Sequence, residues 1–331
     1  MKEFLQHNFI VFGNDMKDYQ MTNAKYEDGQ IIVIDKSKEA FIESEEIKTR
    51  EFYKLTGSWC ATTLNNSLVN LEISVLYNNT WSKYFTYGSW CLGGENLYYN
   101  QDDTFAHMDV DEIIMKDNLL GEGFKFRFHL QKDAKLNMIC IAMKLKDYQY
   151  YVSDKCLPSI VDYNVPKLNQ NMVPVIGHEM CSATTTAMLL KFKGMDFSKY
   201  DNEFEHRYVA SLVADRGHNS PTFGNWVYNT AVIGAFGFTG YVARFYSWNE
   251  LKHHLAKVGP VGASIAGDTG VYKTGGHLIV VRGYKEENGE TKVICNDPNI
   301  NSRFGEGLFV YYEFPLDVFM KFWRGVVYVV L

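Results

Sequence analysis

The chain has 331 residues, of which 46% are hydrophobic and 22% charged, with a net charge of −6. That is enough apolar material for a core in two domains or one large one, and the lack of clustered Lys and Arg argues against nucleic acid as a partner. No window reaches the roughly 18 to 20 apolar residues of a spanning helix, so the reading is a chain without a membrane partner.

The opening MKEFLQHNFIVFGNDMKDYQ has an early acid and no apolar stretch of signal-peptide length, which reads as cytoplasmic, or as secreted had a signal been removed. Six cysteines, Cys60, Cys91, Cys140, Cys156, Cys181 and Cys295, form no Cys-x-x-Cys pair. The expectation is free thiols, with no zinc site, no disulfide framework and no cofactor.

From about residue 8 to 150 the segments QIIVID, SLVNLEISVLYN, SKYFTYGSWC, GFKFRFHLQ and LNMICIAMKL read as strands separated by polar loops. GFKFRFHL places Phe124, Phe126, Phe128 and Leu130 on one face, the pattern of a half-buried antiparallel strand. Many short strands without helical periods predict an antiparallel β-sandwich, jelly-roll-like, over residues 1–152. Its acidic, aromatic-rich composition leaves room for a glycan or peptide bound there.

Near residue 153 the texture changes to SDKCLPSIVDYNVPKLNQNMVPV, with three prolines, as a linker would. The second domain is read as 153–331. Cys181 to Phe192 has helical apolar spacing with Gly194 as C-cap, further helices are expected over 226–236 and 248–258, and strands follow, with HLIVVRGY and TKVICND as a hairpin around EENG. The fold class is α+β.

Cys181 stands at the predicted start of a helix, where unpaired N–H groups and the helix dipole favour a thiolate. His277 opens an apolar strand behind two glycines, and Asp297 ends the next. Pairing 277 with 297 would set Ile279 against Cys295 and Val281 against Val293 on one face, making imidazole and carboxylate neighbours. Singly each has a plainer reading: a structural thiol, a core histidine, an Asp-Pro turn. Together, in the order Cys, His, Asp, they outline a nucleophile, a general base and its orienting partner.

These stretches carry a resemblance. VPKLNQ, CSATTTAMLL, GNWVYNTA, FGFTGYV, GPVGASI, GGHLIVVRGY and ICNDP resemble the papain-like cysteine peptidases of the bacteriocin-processing (double-glycine) peptidase-like family, a bacterial group, and specifically its standalone soluble branch. Residues 50–145 resemble the β-sandwich that precedes the domain in that branch. The resemblance implies a Cys181 nucleophile, a His277 base, an Asp297 partner, and Gln170 as an oxyanion donor with the Cys181 backbone N–H. Asn169 or His178 could take the place of Gln170. The implied reaction is hydrolysis of a peptide or amide bond through an acyl-enzyme; the same residues serve an acyltransferase, and a binding module on a papain-like scaffold is the other alternative. Two positions depart from the family: Ala183 stands where proline is usual, and Met180 where an aromatic is usual. Asn225 and Trp226 either line the substrate cleft or merely pack.

Overall fold

The computed structural model describes residues 2–4, 6–94, 96, 99–153, 155–216 and 221–331. Two compact units divide the chain, one of Met1–Tyr148, Ala214–Pro221 and Asn225–Arg244, the other of Gln149–Val213, Thr222–Gly224 and Phe245–Leu331. The first crossing falls between Tyr148 and Gln149. The helix Trp226–Ala235 was read with the second domain, yet it groups with the first unit. Local periodicity predicts such a helix without saying which core receives it.

In the first unit the described strands join into one sheet of 15 strands. All pairings recorded there are antiparallel except that of Lys2–Phe4 with Ile47–Thr63. An antiparallel, jelly-roll-like β-sandwich was expected. Ile47–Thr63, 17 residues long, changes partners along its length, pairing Gly121–Leu130 near its start and Ala134–Leu145 along the rest. The alternation in Gly121–Leu130 is as expected: Phe124, Phe126, Phe128 and Leu130 are wholly buried, while Lys125, Arg127 and His129 stand on the other face. On that outer face Lys125 lies over the Trp81 and Tyr84 rings, and Arg127 over Tyr84 and Phe41. Cations thus cover the aromatic rings of that face.

Side chains of the first unit satisfy backbone polar groups of the late-sequence insertion. Cys60 Sγ donates to the Gly240 carbonyl at 3.0 Å and accepts its N–H at 3.2 Å. Asn225 is buried and caps its helix, its Oδ1 accepting the Tyr228 N–H at 3.0 Å. The Trp226 N–H goes to the Asp111 carboxylate, and burial pushes that carboxyl up to about 8. Of the two residues named for the cleft, Asn225 thus caps a helix of the first unit, and Trp226 is held there by its backbone N–H.

The second unit carries an antiparallel sheet in the order Trp323–Val330, Val261–Asp268, Lys273–Glu287, Glu290–Asn296, Tyr311–Pro315. Against it lies the helix Cys181–Phe192, as expected from Cys181 to Phe192. Its residues Ser182 to Leu190 are all buried, so the threonines need internal partners. Thr185 Oγ1 donates to the Leu278 carbonyl at 3.0 Å, and the Ser182 hydroxyl meets the Tyr328 hydroxyl at 2.7 Å. Gly194, at φ 93°, ends the helix as a left-handed C′ residue. The helices Glu205–Val213 and Leu316–Phe322 were not anticipated. Among the described residues, no helix is long and apolar enough to cross a membrane.

Candidate active site

Cys181 is the first residue of its helix, and its predecessor Met180 provides no side-chain cap. The first-turn N–H groups are therefore free to face the sulfur and whatever binds beside it. The Ser182 and Leu278 backbone groups hydrogen-bond to the sulfur. Leu278 follows His277, so one strand delivers both the N–H that fixes the sulfur and the imidazole that meets it.

The His277 strand reaches that position through a turn and a bulge. Asn288 (φ 54°) and Gly289 (φ 80°) link Glu287 to Glu290, which face one another. Two positive φ angles in a two-residue loop make the type I′ turn that suits strand twist. An unbroken ladder from that turn, through Tyr284 opposite Val293, would set Val280 against Asp297 and leave His277 on the other face. The ladder is broken. Gly283 pairs with Ile294 and Val281 with Cys295, so Arg282 is an extra residue. Beyond it Val280 faces Asn296, which brings Asp297 level with Ile279, two residues from His277 and on its face. The expected 277–297 pairing is therefore two residues out; the shared face survives only because of the bulge.

A strand distant in sequence maintains the bulge. A Cβ at Gly283 would lie 1.9 Å from the Val161 carbonyl oxygen, because the strand Ile160–Asp162 passes against it. Arg282 is held by the Asp162 carboxylate at 2.7 Å, with the Asn296 side-chain Oδ1 at 3.4 Å and the Tyr311 ring beneath.

His277 Nε2 lies 2.8 Å from Asp297 Oδ1, which leaves Nδ1 for its side-chain hydrogen bond with Cys181. Asp297 is wholly buried. Its Oδ1 also accepts the Asn299 N–H at 2.9 Å, and its Oδ2 accepts the Tyr272 hydroxyl. The electrostatics follow from that arrangement. Burial disfavours charge on both partners, but the adjacent carboxylate and sulfur outweigh it at His277 and raise the imidazole to about 10. At Cys181 burial is likewise outweighed, by the imidazolium and the backbone donors, and the thiol is lowered.

Gln170 is buried on the segment preceding the helix, with its Nε2 donating to the Gly177 carbonyl at 2.8 Å. Asn169, the alternative, is committed elsewhere: Nδ2 donates to the Ile300 carbonyl at 2.8 Å and Oδ1 accepts from the Asn171 N–H. His178, the other alternative, has a largely exposed side chain beside Glu179. The Gln170 N–H donates to the Pro298 carbonyl at 2.9 Å, so this segment is tied to the turn that bears Asp297. Tyr272 escaped the sequence reading. An aromatic five residues before a histidine is no signal by itself, and only the return of the hairpin sets it against Asp297.

A model of the Peptidase_C39 like family matches residues 163–328. No curated protein matches the chain. Among solved structures, digestive procathepsin L 3 of Tenebrio molitor larval midgut is similar at 15% identity and TM-score 0.33, covering 55% of this chain and 73% of that one. A structure from work on antibody cross reactivity between the mite allergens Blo t 1 and Der p 1 is similar at 12% identity and TM-score 0.32, covering 56% and 73%. A Podospora anserina GH26-CBM35 β-(1,4)-mannanase follows at 10% identity and TM-score 0.25, covering 50% and 32%. Such low TM-scores carry no argument; the family match does.

Proposed function

The chain belongs to the Peptidase_C39 like family of cysteine peptidases, and on that premise we propose that it hydrolyses a peptide or amide bond through a thioester formed on Cys181. The observation that carries the reading is the chain of contacts from Asp297 to His277 to Cys181, with the imidazole raised and the thiol lowered. Each partner's charged form favours the other's, so the pair is biased toward a thiolate beside an imidazolium. The thiolate attacks the carbonyl carbon and forms a tetrahedral intermediate. His277 then passes its Nδ1 proton to the leaving amine, and the thioester remains. Neutral again, His277 takes a proton from water, whose oxygen attacks the thioester and releases the acid.

The oxyanion needs donors aimed at it. The Cys181 backbone N–H is one. Gln170 supplies the second in this reading: Nε2 has two hydrogens, and the Gly177 carbonyl takes only one. Asp297 holds the imidazole in the tautomer and orientation that the transfers require.

Iodoacetamide at neutral pH, followed by peptide mapping, tests the thiolate directly. Cys181 is expected to label first, ahead of Cys156, the exposed cysteine that is its natural competitor. Equal labelling of the two sinks the activated-thiolate claim. A proteome-derived peptide library incubated with the protein and with Cys181→Ala tests the reaction itself; cleavages common to both discount it.

A further inference from the structure

Tyr272 lies in the turn joining Val261–Asp268 to Lys273–Glu287, and that turn is tightly made. Thr269 is buried; its Oγ1 donates to the Tyr272 carbonyl at 2.8 Å and accepts the Tyr272 N–H at 3.0 Å. The ring that results stands edge-on to the His277 imidazole, with centroids 5.8 Å apart and planes at 87°. Its hydroxyl donates to Asp297 Oδ2. The Asn299 side chain hydrogen-bonds to the same hydroxyl, which orients the phenolic proton toward the carboxylate.

A wholly buried carboxylate needs donors on both oxygens. Here Oδ1 has the imidazole and the Asn299 N–H, and Oδ2 has the phenol. Without the phenol the carboxylate would be held on one side only, free to turn about Cβ–Cγ and change the direction in which it draws the imidazole. We propose that Tyr272 is a positioning residue of the active site, clamping the Asp297 carboxylate with its hydroxyl and the His277 ring with its edge so that Nδ1 stays aimed at Cys181. This rests on the peptidase reading for its purpose, but the clamp acts on the ion pair whether or not a substrate is known. The titratable groups that meet His277 are Cys181 on the helix, Asp297 after the next strand, and Tyr272 on its own hairpin.

The test is the pH dependence of Cys181 alkylation by iodoacetamide in the full chain carrying Cys156→Ser, which needs no substrate. Tyr272→Phe keeps the ring and removes the donor. It is expected to move the midpoint of thiolate formation upward by about half a unit or more, and to cut kcat by roughly tenfold on any cleaved peptide with KM little changed. A control is Phe304→Leu, which removes the ring 5.4 Å from Tyr272 but leaves the hydroxyl in place; its midpoint is expected to stay put. An unmoved midpoint in Tyr272→Phe overturns the clamp. So does an equal shift in both variants, which would assign the effect to packing. If the midpoint moves while the unsubstituted chain cleaves nothing, the peptidase reading fails and the clamp stands.

Discussion

Thiols of the first unit are raised by burial, whereas in the second unit the half-buried Cys181 is lowered. In the first unit Cys60 and Cys140 sit among strands, with carbonyls at 3.0 and 3.4 Å as partners; burial pushes the Cys60 thiol up to about 12 and raises Cys140 likewise. In the second unit burial also opposes ionisation of Cys181, yet the thiol ends below its ordinary value because His277 and two backbone groups meet it. Cys295, in the same unit and near Asp297, is raised like the thiols of the first. Depth alone raises a thiol; a fixed positive partner and a helix start lower it.

The contrast breaks first at the sulfur. Cys181→Ala is expected to lower peptide turnover at least about 10⁴-fold without altering the melting temperature appreciably, measured by product formation and thermal denaturation. Next comes the cation. His277→Ala should cost a similar factor, and it should also raise the pH at which Cys181 alkylates toward that of an ordinary thiol, so that the two units' cysteines converge in behaviour. Asp297→Asn removes the charge that raises the imidazole. It should cut kcat by roughly 10- to 100-fold and bring the alkaline limb of the rate profile down from about 10.

In the unsubstituted chain the rate should rise as pH climbs through the lowered Cys181 value and fall as it passes about 10. Stability carries the same sign at its upper end. The imidazole is raised from 6.5 to about 10, so its stabilising contribution is fully present below 6.5 and is lost as pH rises through about 10, which denaturant melts across that range would follow. The smallest effect is expected in the first unit. Cys60→Ala loses the paired Gly240 contacts and should cost about 1–2 kcal/mol in urea melts, with Cys181-dependent turnover unchanged.

Much of the site was legible because its signals are local. The helix start at Cys181 shows as a change of texture closed by Gly194, and the alternation in GFKFRFHL marks its strand directly. His277 and Asp297 were legible as residues but not in register, since a bulge at Arg282 depends on the passage of Ile160–Asp162, more than a hundred positions away in sequence. Long-range packing also hid the home of the helix Trp226–Ala235, whose apolar surface suits either core. Tyr272 was hidden for a third reason: its role is a hydrogen bond across a turn, which no periodicity encodes.

The extra residue at Arg282 has a bearing on how this hairpin can change length over time. The turn at Asn288 and Gly289 lies beyond the bulge, so one residue added to each strand at the tip lengthens the hairpin while His277 and Asp297 keep their shared face. A single residue lost between Arg282 and Asn288 would realign the ladder by one and turn the carboxylate away from the imidazole. The site is insulated from the length of the hairpin but not from its parity, so relatives that keep the chemistry should differ there by even counts.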